Sequence, residues 1–183
     1  VGLFDLTPFS KFEIKSDKAH LELQKICTAN IKNEVGKCVY THMLNSDGGI
    51  EADLTVVCIE KNHFRIISSA ATRERDKFHI KRHISKDIEL KDITDDFCVF
   101  GLFGPKSREL MQTISKDSFD NNNFRFGTGK YIIIEGIKIW TQRLSYVGEL
   151  GYELYSEFKD AKKIYELIID KGKDFNLSNC GMH

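Results

Sequence analysis

The chain has 183 residues, enough to bury a sizeable core, and its 27 Lys and Arg balance its 27 Asp and Glu. That balance argues against nucleic-acid binding, which needs clustered positive charge, and no apolar run approaches the ~18 residues that span a bilayer. The five cysteines form no CxxC pair, which indicates reduced thiols rather than a disulfide framework or a zinc site. The composition therefore predicts a packed cytoplasmic protein with no nucleic-acid or membrane partner and no bound metal.

The first half of the chain predicts strands around one helix. Residues 1–14 read as a strand region with a turn at Pro8, and residues 18–27 follow with the rough apolar stripe of a helix. Three alternating segments then predict strands: VGKCVYTHML, IEADLTVVCIE and HFRIISSA. NSDGG, between the first two, contains the Asp-Gly signal of a hairpin turn. A second helix, TRERDKFHIKRHI, is predicted between the two halves.

The second half repeats this order. The strand CVFGLF and a Gly-Pro turn precede the helix pattern KSRELMQTIS; the strand segments KYIIIEGIKIWTQRLSY and VGELGYELYSE come next, before the helix DAKKIYELIIDKG. Four residues of the first half also match four that lie 88 residues later: Phe12, Lys18, Leu23 and Ile26 match Phe100, Lys106, Met111 and Ile114. The shared strand–turn–helix order indicates an internal duplication.

Strands dominate this pattern, and many neighbours are linked by short turns. The sequence therefore predicts an α+β fold with mainly antiparallel sheets. It predicts a pseudo-duplicate of two interlocked halves, approximately residues 1–92 and 93–183, with no linker that separates independent domains. The chain opens within a strand region and closes on SNCGMH without a polar tail, so we expect a fragment of a longer protein.

The segment GGIEADLTVV, residues 48–57, places a carboxylate where a polar strand face becomes apolar. Alternation puts Ala52 and Leu54 on one face and Asp53 on the other, which continues as Val57 and Ile59. An acid at that transition is a candidate site residue. The plainer alternative, which spacing alone favours, is a half-exposed strand end after a Gly-Gly turn.

A similar pattern occurs in YVGELGYELY, residues 146–155. Gly148 and Gly151 allow close approach of the backbone, and Glu153 and Tyr155 share one strand face. A carboxylate at a pocket floor can accept two parallel N–H donors from an amidine-like edge, as in a pterin or purine ring. Spacing alone again favours the alternative that this acid is an ordinary surface residue at a strand end.

Other motifs predict structural roles. His79 and His83 stand at i, i+4 on a predicted helix, but without a third metal ligand a solvated helix face is the better interpretation. FGTGK lacks the spacing of a phosphate loop and GLFGPKS lacks GxGxxG, so both indicate glycine-marked turns. RERD predicts a helix start with an ion pair between Arg73 and Asp76.

Five segments together resemble the aminomethyltransferase family, the T-protein of glycine cleavage and its relatives: GLFDLTPFSKFEI, NSDGGIEADLTV, SSAATRERD, FGPKSRELMQ and LSYVGELGYELY. The likeness is greatest to the C-terminal folate-binding region of dimethylglycine and sarcosine dehydrogenases, and it covers nearly the whole chain. GGIEADL and YVGELGYELY are specific in combination. The resemblance implies a pseudo-duplicated folate-binding fold with the C-terminal barrel missing, and FAD bound in a missing part of the parent chain.

The resemblance also implies roles for individual residues. Asp53 matches the family's acid near the reacting nitrogens of tetrahydrofolate, a base or orienting group, and Glu153 matches the acid that grips the pterin edge. Tyr146 and Tyr155 match tyrosines that line the folate site of dehydrogenase-type members. Ser69 stands where T-proteins carry Asn, which fits the dehydrogenase-type relatives better. We therefore expect a catalytic, partly buried Asp53 and a folate site that includes the other four residues.

The implied activity is one-carbon transfer. A flavin domain in cis would oxidise an N-methyl amine, and this module would pass the methylene to tetrahydrofolate, giving 5,10-methylenetetrahydrofolate. The expected partners are folate and an amine-derived one-carbon donor. Two alternatives stay open, a non-catalytic folate-binding module acting in another process and the free-standing glycine cleavage T-protein. A flavin-binding GxGxxG segment upstream would favour the dehydrogenase.

Overall fold

The computed structural model describes residues 1–181, and these form eleven strands and four α-helices. The strands are β1 (Gly2–Asp5), β2 (Ser10–Lys15), β3 (Cys38–Leu44), β4 (Ile50–Glu60), β5 (His63–Ser68), β6 (Leu90–Asp92), β7 (Phe97–Phe103), β8 (Thr128–Ile134), β9 (Ile137–Arg143), β10 (Gly151–Glu157) and β11 (Ser178–Cys180). The helices are α1 (Ala19–Ile26), α2 (Arg73–His83), α3 (Ser107–Ile114) and α4 (Phe158–Gly172). Over this described range, every helix is too short or too polar to cross a bilayer.

The chain divides into two compact units. Unit I is Pro8–Thr94, and unit II is Val1–Thr7 together with the chain from Asp95 onward. Each unit has its own sheet and its own hydrophobic core. The sheets are almost entirely antiparallel, which confirms the predicted α+β class.

Unit I is built on a five-stranded antiparallel sheet in the order β3-β4-β5-β2-β6. Alternate residues of its strands, such as Phe12 and Leu54, pack on one face with Leu23 of α1 and Ile80 of α2. The predicted hairpin between β3 and β4 is present. Gly48 in its turn has φ of 80°, a conformation that glycine adopts without a steric cost.

Unit II is built on a six-stranded sheet in the order β11-β1-β7-β10-β9-β8, in which the β1–β11 pair is parallel. Helices α3 and α4 cover one face, where Met111 and Ile164 pack against Leu102 and Leu154. The opposite face of β9 and β10 is also buried and carries a set of large and polar side chains: Trp140, Gln142, Glu153 and Tyr155.

The two units repeat one strand–turn–helix plan, which confirms the predicted duplication. Helices α1 and α3 begin 88 residues apart and end 88 residues apart. Lys18 and Lys106 immediately precede them, and Leu23 and Met111 are fully buried at the matching position of each helix. The same apolar spacing in each copy therefore docks each helix on its own sheet.

The copies exchange one strand. Strand β6 pairs with β2 in the sheet of unit I, and β1 pairs with β7 at the matching place in the sheet of unit II. Strand β1 precedes β2 in the sequence yet completes the sheet of unit II, and β6 precedes β7 yet completes the sheet of unit I. Residues 1–7 consequently belong with the chain from Asp95 onward, in contrast to the predicted halves of 1–92 and 93–183.

Candidate functional site

The first candidate acid, Asp53, lies on β4 beside the edge strand β3. Asp53 pairs in register with His42, and the Tyr40 hydroxyl donates to Asp53 Oδ2 at 3.0 Å. The Tyr40 and His42 rings meet edge to face with centroids 5.3 Å apart. The hydrogen bond to Asp53 raises the pKa of Tyr40, because loss of the phenolic proton would bring two negative charges together.

Asp53 is exposed, so the expectation of a partly buried acid is wrong. Burial along this face of β4 begins at Thr55 and continues with Val57 and Ile59. The side chains beside Asp53 on this face, including Tyr40 of the edge strand β3, leave it open to water. The apolar continuation of the strand identified the correct face but not the residue at which burial starts.

The second candidate acid, Glu153, lies in the middle of β10 on the face opposite the unit II core. The residue is 6% exposed. The Tyr155 hydroxyl and Gln142 Nε2 each donate to its Oε2 at 2.8 Å, which confirms that Glu153 and Tyr155 share a face. In the described part of the chain these two bonds both go to Oε2, and no donor reaches Oε1.

Gln142 connects the side chains around Glu153. Its Nε2 also donates to the Tyr155 hydroxyl at 3.0 Å, and its Oε1 accepts from Trp140 Nε1–H at 3.2 Å. Gln142, Trp140 and Tyr155 are all buried. Sequence reasoning missed Gln142 and Trp140, since alternation places them on one strand face but does not say which strand pairs with β10.

Burial raises the pKa of Glu153, although the hydrogen bonds from Tyr155 and Gln142 act in the opposite direction. Over residues 1–181, no charged side chain contributes to this balance. A buried carboxylate without a cationic partner is costly, so such groups occur where a ligand completes their bonding.

The matching strand positions in unit I are occupied by an ion pair. Arg65 lies 88 residues before Glu153, and its strand partner Glu13 lies 88 residues before Gly101, the strand partner of Glu153. Arg65 Nε and Nη2 donate to Glu13 Oε1 at 3.1 and 2.8 Å, and His63 Nε2 lies 3.0 Å from Glu13 Oε2. In unit I the carboxylate of Glu13 is therefore paired with a cation on the neighbouring strand, whereas Gly101 presents no side chain to Glu153.

The other predicted site residues lie in loops. Ser69 follows β5, and its Oγ accepts from Ala71 N at 3.3 Å in a short 3-10 turn. Tyr146 lies in the loop before β10 and is 64% exposed. Unit I contains Asp53 and Ser69, and unit II contains Tyr146, Glu153 and Tyr155.

Two further motifs have local roles. The His79 and His83 rings lie 4.4 Å apart on α2, but residues 1–181 contain no group of three or more His, Cys, Asp or Glu that could hold a metal ion. The predicted Arg73–Asp76 ion pair is wrong. Arg73 instead donates to both oxygens of Asp92 at 3.0 Å, because β6 lies beside the start of α2.

Known proteins share the sequence pattern of this chain. The profile of the GCVT N-terminal domain matches residues 1–183. The 4-methylaminobutanoate oxidase (formaldehyde-forming) of Paenarthrobacter nicotinovorans is 35% identical over 184 residues, which cover 100% of this chain and 22% of that protein. The mitochondrial dimethylglycine dehydrogenase of Rattus norvegicus is 33% identical, again covering 100% of this chain and 22% of that protein. An aminomethyltransferase of Anoxybacillus flavithermus is 30% identical, covering 99% of this chain and 50% of that protein.

Solved structures share the fold. The glycine cleavage system aminomethyltransferase T of Bartonella henselae superposes with a TM-score of 0.82 at 18% identity, covering 97% of this chain and 46% of that chain. The heterotetrameric sarcosine oxidase of Corynebacterium sp. U-96 superposes with a TM-score of 0.74 at 11% identity, covering 97% of this chain and 86% of that chain. At these identities the likeness concerns the fold.

Proposed function

The chain belongs to the aminomethyltransferase (GCVT) family, and from that premise we propose that it catalyses tetrahydrofolate-dependent one-carbon transfer. The donor is an aminomethyl compound or an oxidised N-methyl amine, and the product is 5,10-methylenetetrahydrofolate. Glu153 carries the proposal, because it is a buried acceptor whose Oε2 is held by neutral donors and whose Oε1 receives no donor from residues 1–181. The amino and ring N–H groups at the edge of a pterin supply the donors that this carboxylate lacks.

The transfer step involves no net oxidation. Tetrahydrofolate supplies two nitrogens that accept the one-carbon unit as a methylene bridge. Starting from an iminium donor, two C–N bonds form to the acceptor and the bond to the departing amine breaks. Of the two N–H protons lost, one leaves with the amine and the other goes to a base.

We assign the base to Asp53. The Tyr40 hydroxyl holds Asp53 Oδ2 at 3.0 Å, which leaves Oδ1 as the oxygen that takes the proton. Since Asp53 is exposed, it returns that proton to water directly. Tyr155 supports Glu153, and Tyr146 and Ser69 are assigned to folate contacts from their loops.

We further propose that a flavin domain in cis supplies the donor. Two relatives at 35% and 33% identity are named an oxidase and a dehydrogenase of N-methyl amines, and this chain covers 22% of each. The finding that would support this arrangement is a flavin-binding GxGxxG segment upstream of Val1 in the gene.

Calorimetric titration with tetrahydrofolate tests the site. We expect the wild-type chain to bind tetrahydrofolate with micromolar affinity. Glu153→Gln should lose binding, because the glutamine amide replaces one acceptor oxygen of the carboxylate with a donor NH2 group. Asp53→Asn should bind with nearly unchanged affinity. Binding that survives Glu153→Gln would remove the pterin-grip assignment. No binding by any form would overturn the folate proposal for this chain.

A turnover assay distinguishes an enzyme from a non-catalytic folate-binding module. With a carbon-13-labelled aminomethyl donor, NMR follows label entering 5,10-methylenetetrahydrofolate above the uncatalysed rate. We expect Asp53→Asn to lower this rate by about 100-fold or more, since a positioned base contributes on that order. Equal turnover by wild type and Asp53→Asn would overturn the assignment of Asp53 as the base. The absence of any rate above background would favour a binding module.

A further inference from the structure

The hydrogen bonds around Glu153 assign a role to a residue outside the predicted site. We propose that Gln142 is a positioning residue. It holds Glu153 Oε2 in a hydrogen bond within the protein and thereby leaves Oε1 to accept from the N–H edge of the ligand. This inference rests on the proposed folate function. It concerns Gln142 on β9, together with Trp140, which holds the Gln142 amide.

The amide of Gln142 has one orientation that satisfies its neighbours. Its two N–H groups go to Glu153 Oε2 and to the Tyr155 hydroxyl, and its carbonyl accepts from Trp140 Nε1–H. Exchanging the amide oxygen and nitrogen would set oxygen against the Glu153 carboxylate and N–H against the indole N–H. In a buried network such contacts are costly, so the indole of Trp140 selects the donor end of Gln142 for Glu153.

The sheet makes this arrangement rigid. Gln142 and Glu153 are directly paired across β9 and β10, and the next pair along the same face is Trp140 and Tyr155. Thr141 Oγ1 donates to the Glu153 main-chain carbonyl at 3.1 Å on the opposite face, away from the carboxylate. A carboxylate with one of its oxygens held by side chains of paired strands is preorganised for a ligand at the other oxygen.

The same network affects the protonation of Glu153. The groups that face this carboxylate are Gln142 and Tyr155, and no charged group of residues 1–181 contributes to its pKa. Their hydrogen bonds lower the pKa of Glu153 against the effect of burial, so loss of the Gln142 donor raises that pKa further. Binding that needs the ionised carboxylate is present above this pKa and lost as pH falls through it. The acid limit of binding therefore moves to higher pH when Gln142 is replaced.

The test is a pH series of tetrahydrofolate titrations on the purified chain with Gln142→Met and a matched control. Methionine keeps the length of Gln142 but removes its donors. The control, Thr141→Val, removes one buried hydrogen bond from the same strand without touching the Glu153 carboxylate. We expect Gln142→Met to raise Kd by about tenfold or more and Thr141→Val by less than about twofold. We also expect the acid limit of binding to move upward in Gln142→Met alone.

The outcomes separate this inference from the proposed function. No binding by the wild-type chain overturns both. Wild-type binding that is lost in Glu153→Gln but unchanged in Gln142→Met, in affinity and in pH dependence, overturns the role of Gln142 alone. Should Gln142→Met fail to fold, Trp140→Phe keeps the ring packing and deletes the N–H that orients the amide. A several-fold rise in Kd for Trp140→Phe supports the role, and an unchanged Kd overturns it.

Discussion

Replacing Arg65 by Met tests the buried ion pair of unit I. The side chains of Arg65 and Glu13 are 4% and 18% exposed, and Arg65 donates two hydrogen bonds to Glu13 Oε1. Methionine retains an apolar stem in the same space but carries no charge. The substitution therefore leaves a largely buried carboxylate with His63 as its remaining close partner, at 3.0 Å.

The pKa of Glu13 indicates the size of the effect. Burial raises this pKa, but the His63 hydrogen bond and the charge and hydrogen bonds of Arg65 outweigh burial and lower it from 4.5 to about 2. That difference corresponds to about 3 kcal/mol of stability at neutral pH. Arg65 supplies part of this sum, and its loss also leaves the burial cost uncompensated. We expect Arg65→Met to lower the free energy of unfolding by about 3 kcal/mol.

The pH dependence has a definite sign. Because the pKa of Glu13 is lower in the folded than in the unfolded chain, its contribution is complete above about 4.5 and lost as pH falls through about 2. The wild-type chain should therefore lose stability across that window. In Arg65→Met the loss should be smaller, since the pKa of Glu13 moves back toward its ordinary value.

Urea unfolding followed by far-UV circular dichroism measures both effects. The matched control is Lys15→Met on β2, the strand that also carries Glu13, where Lys15 lies 3.6 Å from Glu60 and the two side chains are 70% and 58% exposed. An exposed pair of this kind contributes about 0–1 kcal/mol. Equal destabilisation by the two variants, or an unchanged acid window in Arg65→Met, would refute the reasoning.

Two further predictions concern packing and reactivity. Gly151→Ala should lower stability by about 2 kcal/mol or more, because the new Cβ would come 2.2 Å from the Phe103 ring. Gly148→Ala should lower stability by about 1 kcal/mol, because Gly148 has φ of +74° but a Cβ there would meet no other atom of the described residues. Thermal unfolding measures both, and the reverse order would contradict the packing argument. Cys27 is buried, and burial raises the pKa of its thiol to about 12, so it should resist iodoacetamide at about pH 8 until urea unfolds the chain. Peptide mass spectrometry reads the labelling, and modification at the unfolded rate in native protein would be the contrary result.

Local patterning was sufficient for the repeated elements of the fold. The apolar spacing around Leu23 and Met111 predicted two helices, and the structure has both, 88 residues apart. Alternation also put Glu153 and Tyr155 on one strand face, where they hydrogen bond at 2.8 Å. These features can be predicted from the sequence because helix and strand periodicity depend on neighbours a few residues away.

Strand partners and sheet edges were decided by the tertiary structure. The exchange of β1 and β6, the exposure of Asp53 beside an edge strand and the ring of bonds among Gln142, Glu153 and Tyr155 follow from pairings between distant segments. The sequence by itself determined the four helices, the longer strands, the duplication and the family, because each rests on short-range periodicity or a recurring motif. Which side chains meet depends on the order and register of the strands, and those depend on how whole faces bury against one another.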